Sequence, residues 1–209
     1  MADAKQMSQF WDERYRSEVY VYGKEPNAFF SAQLDGADPG LMLLPGEGEG
    51  RNAVYAAMKG WAVDAFDQSS AGQSKALALA SELHVKINYR VCQMEDFSFL
   101  ENHYDAVGLM YFHTDPVARE HLHRKVFESL KPGGKLILEA FHKEQLKNDT
   151  GGPKSLDMLF DEETLSSDFA LFETILLEKR EIELNEGPFH QGAASVIRFT
   201  GKKPQENVK

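Results

Sequence analysis

The sequence has a single cysteine and no apolar run of membrane-spanning length, and each shortage narrows the class of protein. Cys92 has no second cysteine to pair with, so an internal disulfide is excluded and a cytoplasmic protein is expected. A transmembrane helix needs about 20 consecutive apolar residues, and nothing here approaches that length. The N-terminal stretch also lacks the apolar core of a secretory signal. We therefore expect no stable membrane insertion.

Basic residues are also in short supply. The chain has 23 Lys and Arg against 33 Asp and Glu, a formal net charge of −10. Such a surface repels a polyphosphate backbone, so a nucleic-acid partner is not expected and a small-molecule partner is favoured. His121 and His123 lie two residues apart in a helical pattern and point to different sides, so no metal site is predicted. No feature specifies an oligomeric state.

Strand-like and helical segments alternate through the first two thirds of the chain. Short apolar runs separated by Ala-rich or amphipathic stretches are typical of parallel strands joined by right-handed helical crossovers. This pattern predicts an α/β fold of the Rossmann-like, doubly wound type. The predicted parallel strands are "GLMLL", "WAVDAFD", "KINYRVC", "YDAVGLMYF" and "KLILEAF".

The C-terminal third follows a different pattern. "TILLEKREIEL" and "AASVIRF" are extended runs joined by "NEGPFHQG", which is too short for a helix, so they predict an antiparallel hairpin. We expect one domain over residues 1–209. It comprises an N-terminal part that is helical and forms a lid (1–40), a cofactor-binding core (41–142), a substrate-side insertion (143–170) and the hairpin (171–203).

The stretch "LMLLPGEGEGRNA" places three glycines directly after the first predicted strand. In open α/β sheets the ligand binds at this strand-to-helix turn, and an acid at the end of the second strand accepts hydrogen bonds from ribose hydroxyls. Asp67 lies there, 19 residues after Gly48. Asp64, three residues earlier, is expected to face the other way. A glycine turn by itself is equally consistent with tight helix packing.

Two glutamates in this turn discriminate between nucleotide ligands. A dinucleotide site has the spacing G-x-G-x-x-G, whereas this turn has G-x-G-x-G and no P-loop lysine. A carboxylate roughly 4 Å from a pyrophosphate charge would cost about 1 kcal/mol in water, and more when partly desolvated. S-adenosylmethionine instead carries a sulfonium and an ammonium group. Glu47 and Glu49 therefore favour S-adenosylmethionine over NAD(P), and an NAD(P)-dependent oxidoreductase is the weaker alternative.

Several segments together resemble the class I S-adenosylmethionine-dependent methyltransferases. They are "WDERYRSEVYVYGKEPNAFF", "GEGRNAVYAA", "DQSSAGQSKA", "LKPGGKLILEAF" and "GGPKSLDML". The branch with tellurite-resistance and thiopurine (thiol) methyltransferase-like proteins is the most similar, and the resemblance extends from about residue 10 to about 202. It implies a sheet of seven strands whose last two form the hairpin.

The resemblance also implies which residues contact the cofactor, with Asp96 accepting from the adenine amine and Tyr22 and Gly23 closing over the methionine end. The implied cofactor-binding residues are Tyr22, Gly23, Gly46, Glu47, Gly48, Asn52, Asp67, Gln68, Ser69, Met94, Glu95, Asp96, Phe97 and Tyr111. Two positions depart from the family pattern. Leu44 occupies the place of an acid before the glycines, and Glu47 that of a small residue.

Methyl transfer requires a base only when the acceptor must lose a proton near neutral pH. His113, at the end of the fourth predicted strand, and His190, in the hairpin loop, are the candidate bases, and Tyr22 is the candidate gate for the acceptor. The alternatives are a helix-capping role for His113 and a plain loop role for His190. The acceptor stays open among thiols, metalloid oxyanions such as tellurite, and small amines. A non-catalytic S-adenosylmethionine-binding protein is the remaining alternative.

Overall fold

The computed structural model describes residues 4–205, with side chains from residue 6 onward. Six α-helices occur in this part of the chain. They are α1 (Ala4–Tyr15), α2 (Ala28–Leu34), α3 (Arg51–Met58), α4 (Ser70–Glu82), α5 (Pro116–Ser129) and α6 (Glu162–Asp168). Seven strands accompany them: β1 (Leu41–Pro45), β2 (Ala62–Asp67), β3 (Asn88–Val91), β4 (Tyr104–Met110), β5 (Leu130–Phe141), β6 (Glu173–Asn185) and β7 (Gln191–Lys202).

The seven strands form one mixed sheet in the order β3-β2-β1-β4-β5-β7-β6. Strand β1 pairs in parallel with β2, β2 with β3, and β4 with β5. Strand β7 runs antiparallel to both β5 and β6. The predicted Rossmann-like α/β fold with an antiparallel C-terminal hairpin is confirmed.

The chain divides into two compact units. The first comprises the chain up to Ser98 together with Glu186–His190, and the second comprises Phe99–Asn185 and the chain from Gln191 onward. The tip of the β6–β7 hairpin thus belongs to the first unit and its strands to the second. The division into functional segments of a single domain stays a prediction.

In the first unit, burial and capping explain the β1–α3–β2–α4 succession. Met42, Leu43 and Leu44 of β1 are buried, as expected for a parallel strand covered on both faces. Helix α4 begins after Ser69, whose hydroxyl accepts the backbone N–H of Gly72 at 3.0 Å. The end of β2 and the start of α4 lie beside the glycine-containing turn that follows β1.

In the second unit, α5 begins at Pro116, and the carboxylate of Asp115 accepts the N–H groups of Val117 and Ala118. The helix ends at Ser129 and β5 starts at Leu130, five residues earlier than the predicted start at Lys135. Backbone hydrogen bonds to Lys203 hold these extra residues. The N–H of Gly133 donates to the carbonyl of Lys203, and the N–H of Lys203 donates to the carbonyl of Gly134. The Pro-Gly-Gly segment, residues 132–134, therefore lies inside an irregular strand.

Candidate cofactor and acceptor site

The glycine turn, defined here as residues 46–50, is built from backbone conformations that favour glycine. Gly46, Gly48 and Gly50 have φ values of 62°, 58° and 88°. A Cβ on Gly50 would lie 2.5 Å from the Cβ of Ala76 in α4, and a Cβ on Gly48 would lie 2.7 Å from the hydroxyl of Tyr15. Gly50 therefore serves helix packing, the alternative that the sequence left open. Gly48 admits a tyrosine from α1.

Asp67 lies at the end of β2 and points its carboxylate at the glycine turn. Its Oδ2 accepts the N–H of Gly48 at 3.1 Å, and its Oδ1 accepts the N–H of Ser69 at 2.8 Å. Burial raises the pKa of Asp67 to about 6, and the backbone donors oppose that shift. A carboxylate has about four lone-pair sites, so Asp67 retains acceptor capacity for further donors.

The two residues after Asp67 differ in how far the protein uses their side chains. Ser69 caps α4 and donates its hydroxyl to Oδ1 of Asp12 at 2.6 Å, so its predicted cofactor role competes with two internal hydrogen bonds. Gln68 has a buried Oε1 with no hydrogen-bond partner among residues 4–205. An orphaned buried acceptor costs free energy unless a ligand donor reaches it, so Gln68 is a suitable place for such a ligand.

Both glutamates of the glycine turn have protein partners, and their predicted contact with a cationic ligand stays a prediction. Oε1 of Glu47 accepts the N–H of Ala53 in the first turn of α3 at 2.7 Å, in place of an N-cap side chain, which Gly50 lacks. Oε2 of Glu49 accepts the N–H of Val21 at 2.8 Å, and its Oε1 is ion-paired with Lys75. Burial raises the pKa of Glu47 to about 7.

The segment after β3 lies close to the end of β2, because β3 pairs with β2 in the sheet. The N–H of Cys92 donates to the carbonyl of Asp67 at 3.0 Å, which brings the following residues to the end of β2. The ring of Phe97 stacks on buried Phe66 with centroids 4.3 Å apart. Of the predicted adenine-side residues, Met94 is half-buried and Glu95 and Asp96 are exposed. Their cofactor contacts stay predictions.

The lid segment, defined as residues 20–23, is held by the side chains of Glu49 in the glycine turn and Arg51 at the start of α3. Besides the Glu49 contact with Val21, an N–H of Arg51 donates to the carbonyl of Tyr22 at 3.0 Å. Gly23, at φ 75°, closes the turn by donating its N–H to the carbonyl of Tyr20. Burial raises the pKa of Tyr22, against the effect of nearby Arg14, and keeps its phenol neutral.

The hairpin tip, Glu186–His190, packs on the lid segment and brings His190 to Tyr22. Their ring centroids are 4.5 Å apart, and the N–H of Phe189 donates to the carbonyl of Val21 at 3.3 Å. Nδ1 of His190 lies 3.4 Å from Oε2 of Glu186, and the same oxygen forms an ion pair with Nη2 of Arg51 at 2.9 Å. Burial lowers the pKa of His190, so its imidazole is neutral at neutral pH.

Asn52 has a structural partner where the resemblance implied a cofactor contact. The residue is buried, and its Oδ1 accepts the N–H of Asn27 at 2.9 Å. Asn27 in turn caps α2 by accepting the N–H of Phe30. Asn52 thereby fixes the chain that follows the lid segment to the start of α3. A direct contact between Asn52 and cofactor stays a prediction.

In the second unit, His113 has both ring nitrogens engaged by backbone groups. Nδ1 lies 2.8 Å from the carbonyl of Met158, and Nε2 lies 3.2 Å from the N–H of Phe141. The two bonds fix a tautomer with the proton on Nδ1 and occupy the lone pair of Nε2. This arrangement favours a structural role for His113 over the predicted role as a base.

Tyr111 follows β4 with a φ of 53°, an uncommon conformation for a residue with a bulky side chain. Its N–H donates to the carbonyl of Glu139 at 2.8 Å and its hydroxyl donates to Oε1 of the same residue at 3.0 Å. Glu139 is buried and receives Arg198 at 2.6 Å. Residues held in strained conformations cluster at ligand sites, which is consistent with the predicted role of Tyr111.

Several residues of this site were missed by sequence reasoning. Arg14, Arg51 and Glu186 lie around Tyr22, although Glu186 and Arg51 are 135 residues apart in the chain. All three stood in quoted segments, "WDERYRSEVYVYGKEPNAFF", "GEGRNAVYAA" and "NEGPFHQG", but nothing in those segments signalled which residues would be their partners. Nothing in a single sequence connects the hairpin tip to the lid segment.

The comparison with protein families identifies residues 43–134 as a match to the family described as "Methyltransferase domain". The match covers the chain from β1 to the irregular start of β5, including the glycine turn and Asp67. No curated protein matches the chain in sequence.

Solved structures, two of which are described as methyltransferases, share the fold over nearly the whole chain. One is the N-methyltransferase NodS from Bradyrhizobium japonicum WM9 in complex with S-adenosylhomocysteine, with a TM-score of 0.71, 11% identity and coverage of 95% of this chain and 98% of that one. A second is 1,6-didemethyltoxoflavin-N1-methyltransferase from Burkholderia thailandensis, with a TM-score of 0.66, 15% identity and coverage of 98% and 92%. TehB from Haemophilus influenzae has a TM-score of 0.70 and 14% identity, over 94% of this chain and 66% of that one.

The residues of the first unit fit the ligand that this domain implies. Asp67 retains acceptor capacity for hydroxyl groups, Gln68 carries an orphaned buried acceptor, and the glycine turn brings backbone next to both. Across residues 4–205 no helix is long and apolar enough to cross a membrane. Residues 43–134 therefore match a methyltransferase domain, and this match indicates S-adenosylmethionine as the cofactor.

Proposed function

We propose that the protein transfers a methyl group from S-adenosylmethionine to a small-molecule acceptor. The observation that carries the proposal is the hydrogen bond between the Asp67 carboxylate and the Gly48 backbone, inside the segment that matches a methyltransferase domain. This contact joins Asp67, the proposed ribose-binding acid, to the glycine turn. The branch of the family and the acceptor atom are matters for experiment.

The cofactor supplies the reactive methyl carbon, so the protein mainly orients the reactants and excludes water. A lone pair of the acceptor forms the new bond as the carbon–sulfur bond breaks, and any acceptor proton leaves with a base. His190 is the base that the geometry favours, because its imidazole is neutral and lies beside Tyr22. His113 would instead have a structural role, through its hydrogen bonds to the backbone of Met158 and Phe141.

The cofactor contacts are proposed from the first unit outward. Asp67 and Gln68 would accept hydrogen bonds from ribose or adenine donors, with Gly46 and Gly48 allowing close backbone approach. Tyr22 and Gly23 would close the lid segment over the methionine end. Glu47 would offer its remaining acceptor capacity to a cationic group, while its Oε1 accepts the Ala53 N–H at the start of α3.

Titration calorimetry with S-adenosylmethionine tests this assignment. Asp67→Asn is expected to weaken binding by about 10- to 100-fold, because hydrogen bonds to a charged group contribute about 1.5–3 kcal/mol. Asp64→Asn is the matched control, since Asp64 lies on the same strand and bonds Asn88 at 2.8 Å. Wild-type protein that fails to bind millimolar cofactor, together with an Asp67→Asn variant indistinguishable from it, would refute the assignment.

A non-catalytic S-adenosylmethionine-binding protein is the second candidate. The observation that favours it is Leu44, an apolar residue, 1% exposed, where the family pattern has an acid before the glycines. S-adenosylhomocysteine release measured with a panel of thiols, amines and oxyanions separates the two. Turnover with any acceptor supports the enzyme, and cofactor binding without turnover supports the binding protein.

A further inference from the structure

Helix α1 presents an arginine, Arg14, that is surrounded by aromatic rings and contacts the lid segment. The Arg14 guanidinium carbon lies 4.6 Å from the ring centroid of Phe10, 5.4 Å from that of Trp11 and 4.8 Å from that of Phe189 at the hairpin tip. Phe10 and Phe189 are 46% and 48% exposed. The arginine is therefore the charged centre of a half-open aromatic surface.

This cation has no carboxylate partner in the part of the chain that the structure describes. Among the side chains of residues 6–205, its one hydrogen bond runs from Nη1 to the hydroxyl of Tyr22 at 2.9 Å, although a guanidinium has five N–H donors. The chain carries 33 acidic residues against 23 basic ones, so an arginine left without an acid is unusual here. A ligand that brings its own anion would satisfy the unused donors.

The aromatic surface connects directly to the proposed cofactor turn. Tyr22, whose hydroxyl accepts the hydrogen bond from Arg14, also packs against two other rings. Its ring centroid lies 6.4 Å from that of Tyr15 and 4.5 Å from that of His190. The hydroxyl of Tyr15 packs on the glycine turn, because a Cβ added to Gly48 would lie only 2.7 Å from it. Arg14 thus contacts the predicted gate, Tyr22, directly and is one side chain removed from the favoured base, His190.

We propose that Arg14 determines acceptor specificity by binding the carboxylate of a small aromatic acid, whose ring packs against Phe10, Trp11 and Phe189. The inference rests on the proposed function and narrows its acceptor class. A guanidinium forms two parallel hydrogen bonds with a carboxylate, and exposed rings stabilise a flat apolar body. An inorganic oxyanion would use the charge but not the rings, and a small cationic amine would be repelled by Arg14.

The test is calorimetry with simple probes, on wild-type protein with and without S-adenosylhomocysteine. Benzoate supplies ring and carboxylate, benzamide supplies a neutral ring, cyclohexanecarboxylate a non-aromatic acid, and selenite an oxyanion. We expect benzoate to bind about 10-fold or more tightly than benzamide, because the charged hydrogen bond is lost in the amide. No benzoate binding, equal binding of benzamide, or equal binding of selenite each overturns the inference.

Variants locate the effect at this arginine. Arg14→Gln is expected to weaken benzoate binding by about 10- to 100-fold. Arg16→Gln, an exposed arginine on the segment directly after α1, is the matched control and is expected to change nothing. Phe189→Leu is expected to weaken benzoate more than cyclohexanecarboxylate, since only the aromatic probe loses ring contacts. Equal benzoate affinity in Arg14→Gln and wild type contradicts the proposal.

The cofactor titration keeps the two proposals apart. Unchanged S-adenosylhomocysteine affinity in Arg14→Gln shows that the variant is folded and that any lost benzoate affinity belongs to Arg14. Failure of wild-type protein to bind S-adenosylhomocysteine removes the proposed function, whereas a benzoate titration without it still measures the arginine site. Loss of both ligands in Arg14→Gln alone assigns the residue to folding and refutes the specificity role.

Discussion

Glu47 is a carboxylate, 8% exposed, whose fixed partner is a backbone N–H of α3. Burial raises its pKa from 4.5 to about 7, so the folded protein holds a proton there that the unfolded chain releases. Between pH 4.5 and 7 the folded state thus binds more protons, and stability falls as the pH rises through this window. The buried Glu47 side chain therefore costs free energy when it is charged, and a neutral glutamine amide at the same position would not carry that cost.

We therefore expect Glu47→Gln to raise stability at pH 8 and to leave it nearly unchanged at pH 4. The gain at pH 8 is expected to be about 1–3 kcal/mol, the order of magnitude that a pKa shift of this size implies. Denaturant unfolding at the two pH values measures it.

Glu47→Ala is the control for the helix-capping oxygen, because it removes the acceptor of the Ala53 N–H at either pH. It is expected to destabilise the protein by about 1 kcal/mol at pH 4, where charge no longer contributes. Equal stabilities of Glu47→Gln and wild type at pH 8 would show that the buried carboxylate carries no cost.

The residue scale is also where sequence reasoning reached its limit. The positions of Asp67 and the glycines followed from strand and turn patterns, which are local. The partners of Glu47 and Glu49 did not, because a carboxylate in a sequence looks the same whether it caps a helix or faces a ligand. His113 shows the same limit, since its two backbone partners lie 28 and 45 residues away.

At the scale of elements, the close approach of α4 to the glycine turn depends on Gly50. Gly50→Ala is expected to destabilise the protein by about 2–4 kcal/mol, because its Cβ would overlap Ala76 and its φ of 88° disfavours alanine. Thermal unfolding measures the loss.

Gly36→Ala is the matched control, since Gly36 has a φ of 73° with nothing within 4 Å of the added Cβ. It isolates the backbone cost, about 1 kcal/mol. Similar losses for both variants would mean that Gly50 is required for its backbone conformation and not for helix packing.

The lid segment is a second element whose position depends on a few side chains. The buried N–H of Val21 donates to Glu49, so Glu49→Ala is expected to raise the hydrogen-exchange rate of that amide by about 5- to 30-fold, the effect of losing 1–2 kcal/mol locally. Amide exchange resolved by residue measures it.

Glu49→Gln retains an acceptor oxygen and is expected to protect Val21 more than Glu49→Ala does. The amides of β2 serve as the internal reference, because they belong to the parallel sheet and not to the lid segment. A uniform rise across β2 and Val21 would report global destabilisation and contradict a local clamp.

The elements themselves were predicted well because their signals are periodic. Buried apolar runs identified β1 to β5, and the two long extended runs identified the hairpin. The start of β5 was missed, since "KPGG" is typical of a break, and Lys203 supplies pairing that no local pattern contains. The hairpin tip was placed in a loop but not on the lid segment, because that contact spans most of the chain.

At the scale of the whole molecule, binding of ligand to the folded state alone stabilises it by mass action. S-adenosylhomocysteine at about 100 times its dissociation constant is expected to add about 2.7 kcal/mol, which for a chain of this length corresponds to a melting-temperature rise of about 5–10 °C. NAD at the same concentration is expected to produce no shift, because the carboxylates of the glycine turn disfavour a pyrophosphate. Asp67→Asn is expected to lose most of the shift with S-adenosylhomocysteine, while Asp64→Asn retains it. A rise with NAD equal to that with S-adenosylhomocysteine would assign the glycine turn to dinucleotides and overturn the cofactor.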